Sequence, residues 1–197
     1  MPTKRQPARK NSTANHGPDA TALLMKDHKT VKALLKKLES TESAAPRENL
    51  LKQIEQELKI HTQIEEEIFY PAFKNAVKSA EQKKLYYESL EEHHVVDLVL
   101  PEIKSENAGS EEFAAKAKVL KDLVEHHAEE EETEMFPKAR RAMGSQQLKE
   151  LGTQMQQRKQ QLSVGVWDRA MDMLTSFTGN KTGKTTARKT TAKKRAA

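Results

Sequence analysis

The chain has no cysteine among its 197 residues, which excludes disulfide bonds, zinc–thiolate sites and cysteine nucleophiles. Glycine and proline are scarce, with seven residues of each, so turns and helix breaks must be few. No run of about 18 apolar residues could span a bilayer, and no apolar signal region follows the N-terminus. We therefore expect a helical protein of the cytoplasm, without membrane contact, whose chemistry uses side chains other than thiols.

Acidic residues are missing from both ends of the chain. Residues 1–18 carry four basic side chains and residues 178–197 carry seven, with no aspartate or glutamate in either segment. The other 23 basic residues are outnumbered by 29 acidic residues, so the net charge of +5 conceals an acidic body with two basic arms. Both arms have almost nothing to bury, and we expect them to be disordered.

Between the arms, apolar and histidine residues recur at the spacing of one helix face in four segments. In the second segment, for example, Leu58, His61, Glu65, Ile68 and Ala72 share a stripe. Four long amphipathic segments with short connections predict an all-α protein built on an up-down-up-down four-helix bundle. The predicted domains are a disordered basic arm, the bundle, an extension of one or two short helices, and a disordered Lys/Arg-rich tail, at residues 1–18, 19–142, 143–177 and 178–197.

Individual residues mark the predicted helix ends. Asp19 and Ser110 are good N-caps for the first and fourth helices. The third helix is predicted from about residue 82 to residue 104, and Pro101 should kink it or end it early. Gly144 suits a C-terminal cap after the fourth helix.

Two stretches of eleven residues follow one pattern, HTQIEEEIFYP from His61 and HAEEEETEMFP from His127. In each, a glutamate lies four residues after the histidine and a proline lies ten residues after it. A further histidine precedes each stretch at almost the same distance, 33 residues for His28 and 34 for His93. The chain therefore contains two copies of one helical hairpin.

The two copies supply six candidate metal ligands: His28, His61, Glu65, His93, His127 and Glu131. Residues four apart lie above one another on a helix, so each hairpin turns a His/Glu pair toward the bundle axis. Buried carboxylates need a compensating cation, and no lysine or arginine shares these inward stripes at that level. Imidazole and carboxylate without thiolate suit iron, manganese or zinc, and six donors suffice for two metals if the carboxylates bridge them.

The neighbours of these residues allow several interpretations. Adjacent histidines occur at 93–94 and 126–127, and the repeat alignment selects His93 and His127 over His94 and His126. Asp27 and Glu92 each precede a leading histidine and are candidate acceptors for its second N–H. Tyr70 lies near the first His/Glu pair in the sequence, and its hydroxyl is a candidate to contact a ligand bound to the metal. Other acidic residues form either a solvated face or partners of the histidines: Glu66, Glu67, Glu129, Glu130 and Glu132.

The ordered set of four histidines and two glutamates, with both prolines in place, resembles the hemerythrin-like, HHE cation-binding proteins over about residues 19–142. The resemblance implies a four-helix bundle around a non-haem di-iron site, with Glu65 and Glu131 bridging and the four histidines as terminal ligands. Oxygen-carrying hemerythrins have a fifth histidine where this chain has Asp97. Either Asp97 replaces that ligand or one iron is more open, which favours oxygen, peroxide or nitric oxide chemistry over simple oxygen storage.

Three functional hypotheses follow. The first is a di-iron protein that binds, reduces or senses a small oxidant, and the pattern leaves open whether it is an enzyme. The second is a metal-holding module that its basic tails tether to nucleic acid; residues 178–197 are either a solvated extension or a sequence-independent phosphate binder, since they lack aromatic residues for base stacking. The third is a helical module without metal.

Overall fold

The computed structural model describes residues 17–178, with side chains to residue 164, and almost all of both predicted disordered arms lies outside this range. The described residues contain no strand and confirm the predicted all-α four-helix bundle. The helices are α1 Ala20–Glu39, α2 Ala44–Ile64, α3 Tyr70–Ala76, α4 Ala80–Ser105, α5 Glu111–Glu130 and α6 Phe136–Thr178. None of the helices in the described range has an apolar stretch that could cross a bilayer.

The up-down-up-down topology follows from the direction in which each bundle helix passes between two apolar clusters. One apolar cluster surrounds Leu35, Ile54 and Leu120, and a second surrounds Phe69 and Phe136. Each of α1, α2, α4 and α5, together with the turn that continues α2 or α5, runs from one cluster to the other and places a histidine between them, in alternating directions. The histidines therefore form a polar layer between two apolar ones.

The helix ends follow the predicted caps. Asp19 Oδ1 accepts a hydrogen bond of 3.0 Å from the Ala22 N–H, and Ser110 Oγ accepts one of 3.1 Å from the Phe113 N–H. Such caps each stabilise a helix by about 0.5–2 kcal/mol. Pro101 does not end α4 early, because the helix continues to Ser105. Tertiary packing explains the difference, since α4 buries Ile103 completely beyond the proline.

A π-helical turn follows each predicted His/Glu pair, at Glu65–Phe69 and at Glu131–Met135. In each turn the backbone C=O of the glutamate accepts from the N–H five residues later, and a proline comes next. Because proline has no N–H, the five-residue pattern stops there and the α-helix resumes. The extra residue shifts the helix phase by one position, so the fully buried residue is Phe69 rather than the predicted Ile68.

The chain after the fourth bundle helix turns at Gly144, whose φ of 72° is a conformation that favours glycine and interrupts α6. Beyond the turn, Leu148, Leu151 and Met155 are buried in the cluster around Phe69. Gly152 passes so close to the backbone of Pro18 that a Cβ there would collide with it. The chain divides into two compact units after Leu162, and this part of α6 belongs to the first of them.

Candidate metal centre

All six predicted ligands lie buried in the polar layer, and their ligand atoms fall into two adjacent groups. We call the first group position A; it contains one ligand atom each from His28, His61, Glu65 and Glu131, all within 4.8 Å of one another. The Nε2 atoms of His28 and His61 are 3.1 Å apart, and Glu65 Oε1 lies 3.2 Å from His61 Nε2. Two nitrogens bound side by side to one metal ion at about 2.1 Å would be about 3 Å apart, so this spacing suits a single ion.

Position B is the second group and contains Glu65, His93 and His127. The Nε2 atoms of His93 and His127 are 3.3 Å apart, and Glu65 Oε2 lies 3.4 Å from His93 Nε2. Glu65 therefore faces position A with one oxygen and position B with the other. Glu131 Oε2 lies 3.2 Å from His28 Nε2 and 3.8 Å from His127 Nε2, so it also stands between the two positions.

The two glutamates are the best test of whether a cation fits this layer. Within the described residues, all four carboxylate oxygens of Glu65 and Glu131 are buried without a hydrogen-bond partner. Burial, and then repulsion from Glu131, raises the pKa of Glu65 well above its usual value. Burial alone would also raise the pKa of Glu131, but His127 and His28 outweigh it and hold that pKa below its usual value. A bound cation would compensate both carboxylates and displace the protons that the layer otherwise holds.

Each histidine that points Nε2 into the centre points Nδ1 toward a carboxylate. His127 Nδ1 lies 2.7 Å from Glu92 Oε2, whereas His61 Nδ1 lies 3.8 Å from Asp27 Oδ2. Asp27 and Glu92 thus face the second histidine of their own hairpin, and the alternative in which each accepts from the adjacent leading histidine does not occur. Adjacent residues point in different directions on a helix, so each acid reaches the neighbouring helix instead.

The leading histidines take their acceptors from the other hairpin. His28 Nδ1 lies 2.8 Å from Glu132 Oε1, and His93 Nδ1 lies 2.8 Å from Glu66 Oε1. Each acceptor directly follows one of the two buried glutamates in the sequence. A carboxylate on Nδ1 fixes the ring so that Nε2 is free to bind a metal, and it makes that nitrogen a stronger donor.

The remaining neighbours lie away from the centre. His94 is exposed, and the side chain of His126 is 65% exposed, in agreement with the choice of His93 and His127. Glu67 pairs with Arg158 rather than with a histidine. Asp97 is exposed in a groove between α2 and α4 and belongs to neither group of ligand atoms. Its exposure favours the more open metal position over a replacement ligand.

An aromatic ring lies beside each leading histidine, but the two rings differ. Tyr70 stacks on His93 with ring centroids 5.5 Å apart, and its hydroxyl is 3.2 Å from His93 Nε2. Burial raises the pKa of Tyr70 well above its usual value, so the hydroxyl keeps its proton and can donate it in a hydrogen bond. The equivalent residue of the other copy, Phe136, stacks on His28 at 5.8 Å and has no hydroxyl. The duplicated centre is therefore not symmetric.

A small cavity of about 20 Å³ adjoins the four histidines on the side away from the aromatic rings. Its apolar lining includes Val31, Leu58, Val96 and Val124. That volume is about enough for one water molecule or one small ligand.

Sequence reasoning missed the π-helical turns, and it left open whether Glu66 and Glu132 are solvated or are partners of the histidines. The proline six residues after each buried glutamate was the available signal for the turns, because it marks where a backbone donor is missing. The repeat offered a signal for Glu66 and Glu132, since both copies place an acid directly after the ligand glutamate.

A buried set of four histidines and two carboxylates in a helical bundle defines a metal-binding helical protein. Residues 19–139 match the Hemerythrin HHE cation binding domain family, and the chain belongs to that family. A solved relative is the Rv2633c homologue of Mycobacterium kansasii, a hemerythrin HHE cation binding domain-containing protein. It is 26% identical with a TM-score of 0.68, over 78% of this chain and 92% of that one.

A second relative is a DNA nickase of Nostoc sp., which is 26% identical over 136 residues. The match covers 69% of this chain but 38% of the nickase, so the chain spans less than two fifths of that protein's length.

Proposed function

We propose that the protein is a non-haem di-iron protein, with one iron at position A and one at position B, that binds, reduces or senses a small oxidant such as oxygen, peroxide or nitric oxide. The observation that carries this proposal is the small apolar cavity directly beside the four histidines. It leaves room beside the histidines for a ligand of a few atoms and too little for a larger substrate.

The donor set supports two ions of iron. Each position has two imidazole nitrogens and shares carboxylate oxygens, which is close to the two-histidine, one-carboxylate set of non-haem iron proteins with open positions. Manganese and zinc also accept these donors, but the six side chains exceed what one tetrahedral zinc ion requires. Bound iron would supply one-electron chemistry and open positions for a small oxidant.

The side chains of this protein control that chemistry in three ways. The carboxylates on Nδ1 increase electron donation from the imidazoles, which favours the oxidised metal. The valines and Leu58 keep bulk water away from the cavity. The hydroxyl of Tyr70 is held at position B as a neutral donor that can hydrogen-bond to an incoming oxidant.

The proposal predicts a spectral response that depends on the cavity. Protein loaded anaerobically with Fe²⁺ is expected to gain near-ultraviolet and visible absorption when oxygen, peroxide or nitric oxide is added. In Val124→Leu the larger side chain should fill the cavity, so iron content stays near two ions per chain while the response slows about tenfold or more.

Val119→Leu is the matched control, because Val119 is 51% exposed on the same helix. Melting temperatures of both variants check that the core remains packed. If the iron-loaded wild type responds to none of the three oxidants, the oxidant function is wrong, whereas an equal response in Val124→Leu would place access elsewhere.

A second candidate function is attachment of the metal module to nucleic acid. The similarity to a DNA nickase and the seven basic residues of the C-terminal arm both favour this function. Residues 179–197 of the arm lie outside the described range, so the proposal rests on the arm's composition. Lysine and arginine spaced by small residues favour salt-dependent, sequence-independent contacts with phosphate groups.

Deleting residues 178–197 is expected to abolish most DNA binding while leaving metal content and helicity intact. Without the arm, 27 basic residues remain against 29 acidic residues, so phosphate attraction should largely disappear. The measurement is a gel shift of full-length and truncated protein between about 50 and 200 mM salt. Equal binding by both proteins, or no binding at the lowest salt, would eliminate this function.

A further inference from the structure

The acids that face the histidine Nδ1 atoms have lysines beside them at position A but, within the described range, not at position B. At position A, Asp27 Oδ1 lies 2.6 Å from Lys159 Nζ, and Glu132 Oε1 lies 3.4 Å from Lys32 Nζ. At position B the corresponding acids are Glu92 and Glu66. Among the described residues, neither of them has a lysine or arginine within 4.0 Å.

We infer that the two positions load in order, position B first and position A second, and that Lys159 and Lys32 set this order. The inference rests on the proposed two-ion centre. It assigns to these lysines a positioning role, because they act on the metal through the carboxylates that hold the histidines.

The charges of the acids that face the Nδ1 atoms favour position B. The two acids around position A are each balanced by a lysine, whereas the two acids around position B keep their negative charge. The Lys159 and Asp27 side chains are only 22% and 9% exposed, so water screens this pair incompletely. As far as these outer acids are concerned, a cation therefore meets more negative surroundings at His93 and His127.

The orientation of the histidines favours the same order. Asp27 is turned toward Lys159, and its other oxygen is 3.8 Å from His61 Nδ1, too far for a hydrogen bond. The equivalent contact at position B, between Glu92 and His127, is 2.7 Å long. His61 is thus the less firmly oriented ligand, and loss of such an outer contact typically weakens metal binding by about 10–100-fold.

The contribution of Lys159 to the asymmetry arises because the hairpin is duplicated and the helix after Gly144 is not. Lys159 lies on that single helix, which also places Arg158 on Glu67 and Gly152 against the backbone of Pro18. The helix, over its described side chains, therefore places a positive charge beside position A and none beside the outer acids of position B.

The test is a stepwise titration of metal-free full-length protein with Co²⁺ alone, followed by visible absorption. Two steps are expected, with the first about 10–100-fold tighter than the second. His127→Ala should remove the tight step, and His61→Ala should remove the weak one. The reverse assignment, or two equal steps in the wild type, overturns the loading order and leaves the two-ion centre standing. Failure to bind Co²⁺, Fe²⁺ or Zn²⁺ would contradict the proposed function itself.

Lysine variants test the cause of the order. Lys159→Met and Lys32→Met should each tighten the weak step by about tenfold and leave the tight step unchanged. Arg158→Met is the matched control, because its partner Glu67 contacts no histidine, and it should change neither step. Melting curves confirm folding, and if Lys159→Met fails to fold, Lys32→Met still decides. An unchanged weak step in a folded lysine variant overturns the role of that lysine.

Discussion

Glu65→Ala is expected to remove nearly all bound metal, a larger loss than any single histidine variant produces. Its two oxygens face different positions, one toward His61 and the other toward His93, so the substitution takes a donor from both ions at once. A single histidine variant removes a donor from one position only. The measurement is metal content per chain after loading with Fe²⁺, by elemental analysis.

Glu67→Ala is the control for this substitution, since Glu67 is exposed two residues away and pairs with Arg158. It should retain close to the wild-type metal content. Wild-type metal content in Glu65→Ala would mean that the buried glutamate is not a ligand and that the interpretation of the whole centre must change.

Removing the metal is expected to lower the melting temperature by roughly 15–30 °C while the protein remains helical. Each ion that is present at about a thousandfold above its Kd stabilises the native state by about 4 kcal/mol, and each kcal/mol corresponds to roughly 2–4 °C in a chain of this size. The empty centre also contains two carboxylates whose oxygens have no hydrogen-bond partner among the described residues. Circular dichroism melts with and without a chelator measure the difference.

Glu65→Gln separates the two contributions to the change in melting temperature, which are metal binding and the cost of burying a charged Glu65. Because the pKa of Glu65 is raised in the folded protein, the metal-free wild type loses stability as the pH rises above about 4.5, the usual pKa of a glutamate, toward the raised folded value. Glutamine removes this cost, so metal-free Glu65→Gln should melt above the metal-free wild type at pH 7 and gain little from added metal. A wild type with the same melting temperature in both states would show that metal binding is not coupled to folding.

The six candidate ligands could be brought together from the sequence because the repeat compares the protein with itself. The His/Glu spacing fixes the relative direction of two side chains within one helix, and this relation is independent of the rest of the fold. The second copy then resolved the choice between His93 and His94 and between His126 and His127. Local geometry and duplication together were sufficient for these residues.

The outer contacts could not be predicted in this way. Whether Asp27 reaches His28 or His61 depends on how far two helices are rotated relative to each other, and packing across the bundle determines that rotation. Pro101 illustrates the same point, because burial of Ile103 stabilises the helix beyond a residue that disfavours it locally. Lys159 is the most distant case, since it reaches Asp27 through a separate helix more than 130 residues along the chain.

The π-helical turns also affect how the sequences of the two hairpins can diverge from each other. Each turn absorbs one extra residue between the ligand glutamate and the aromatic cluster, so the side chains above the turn have a different phase from the histidine and glutamate below it. The residue that follows the turn then differs between the two copies while both His/Glu pairs face the centre. Tyr70 and Phe136 are such a divergence between matching positions. The turns thus allow a duplicated protein to keep its metal-binding residues while the two copies acquire different surroundings.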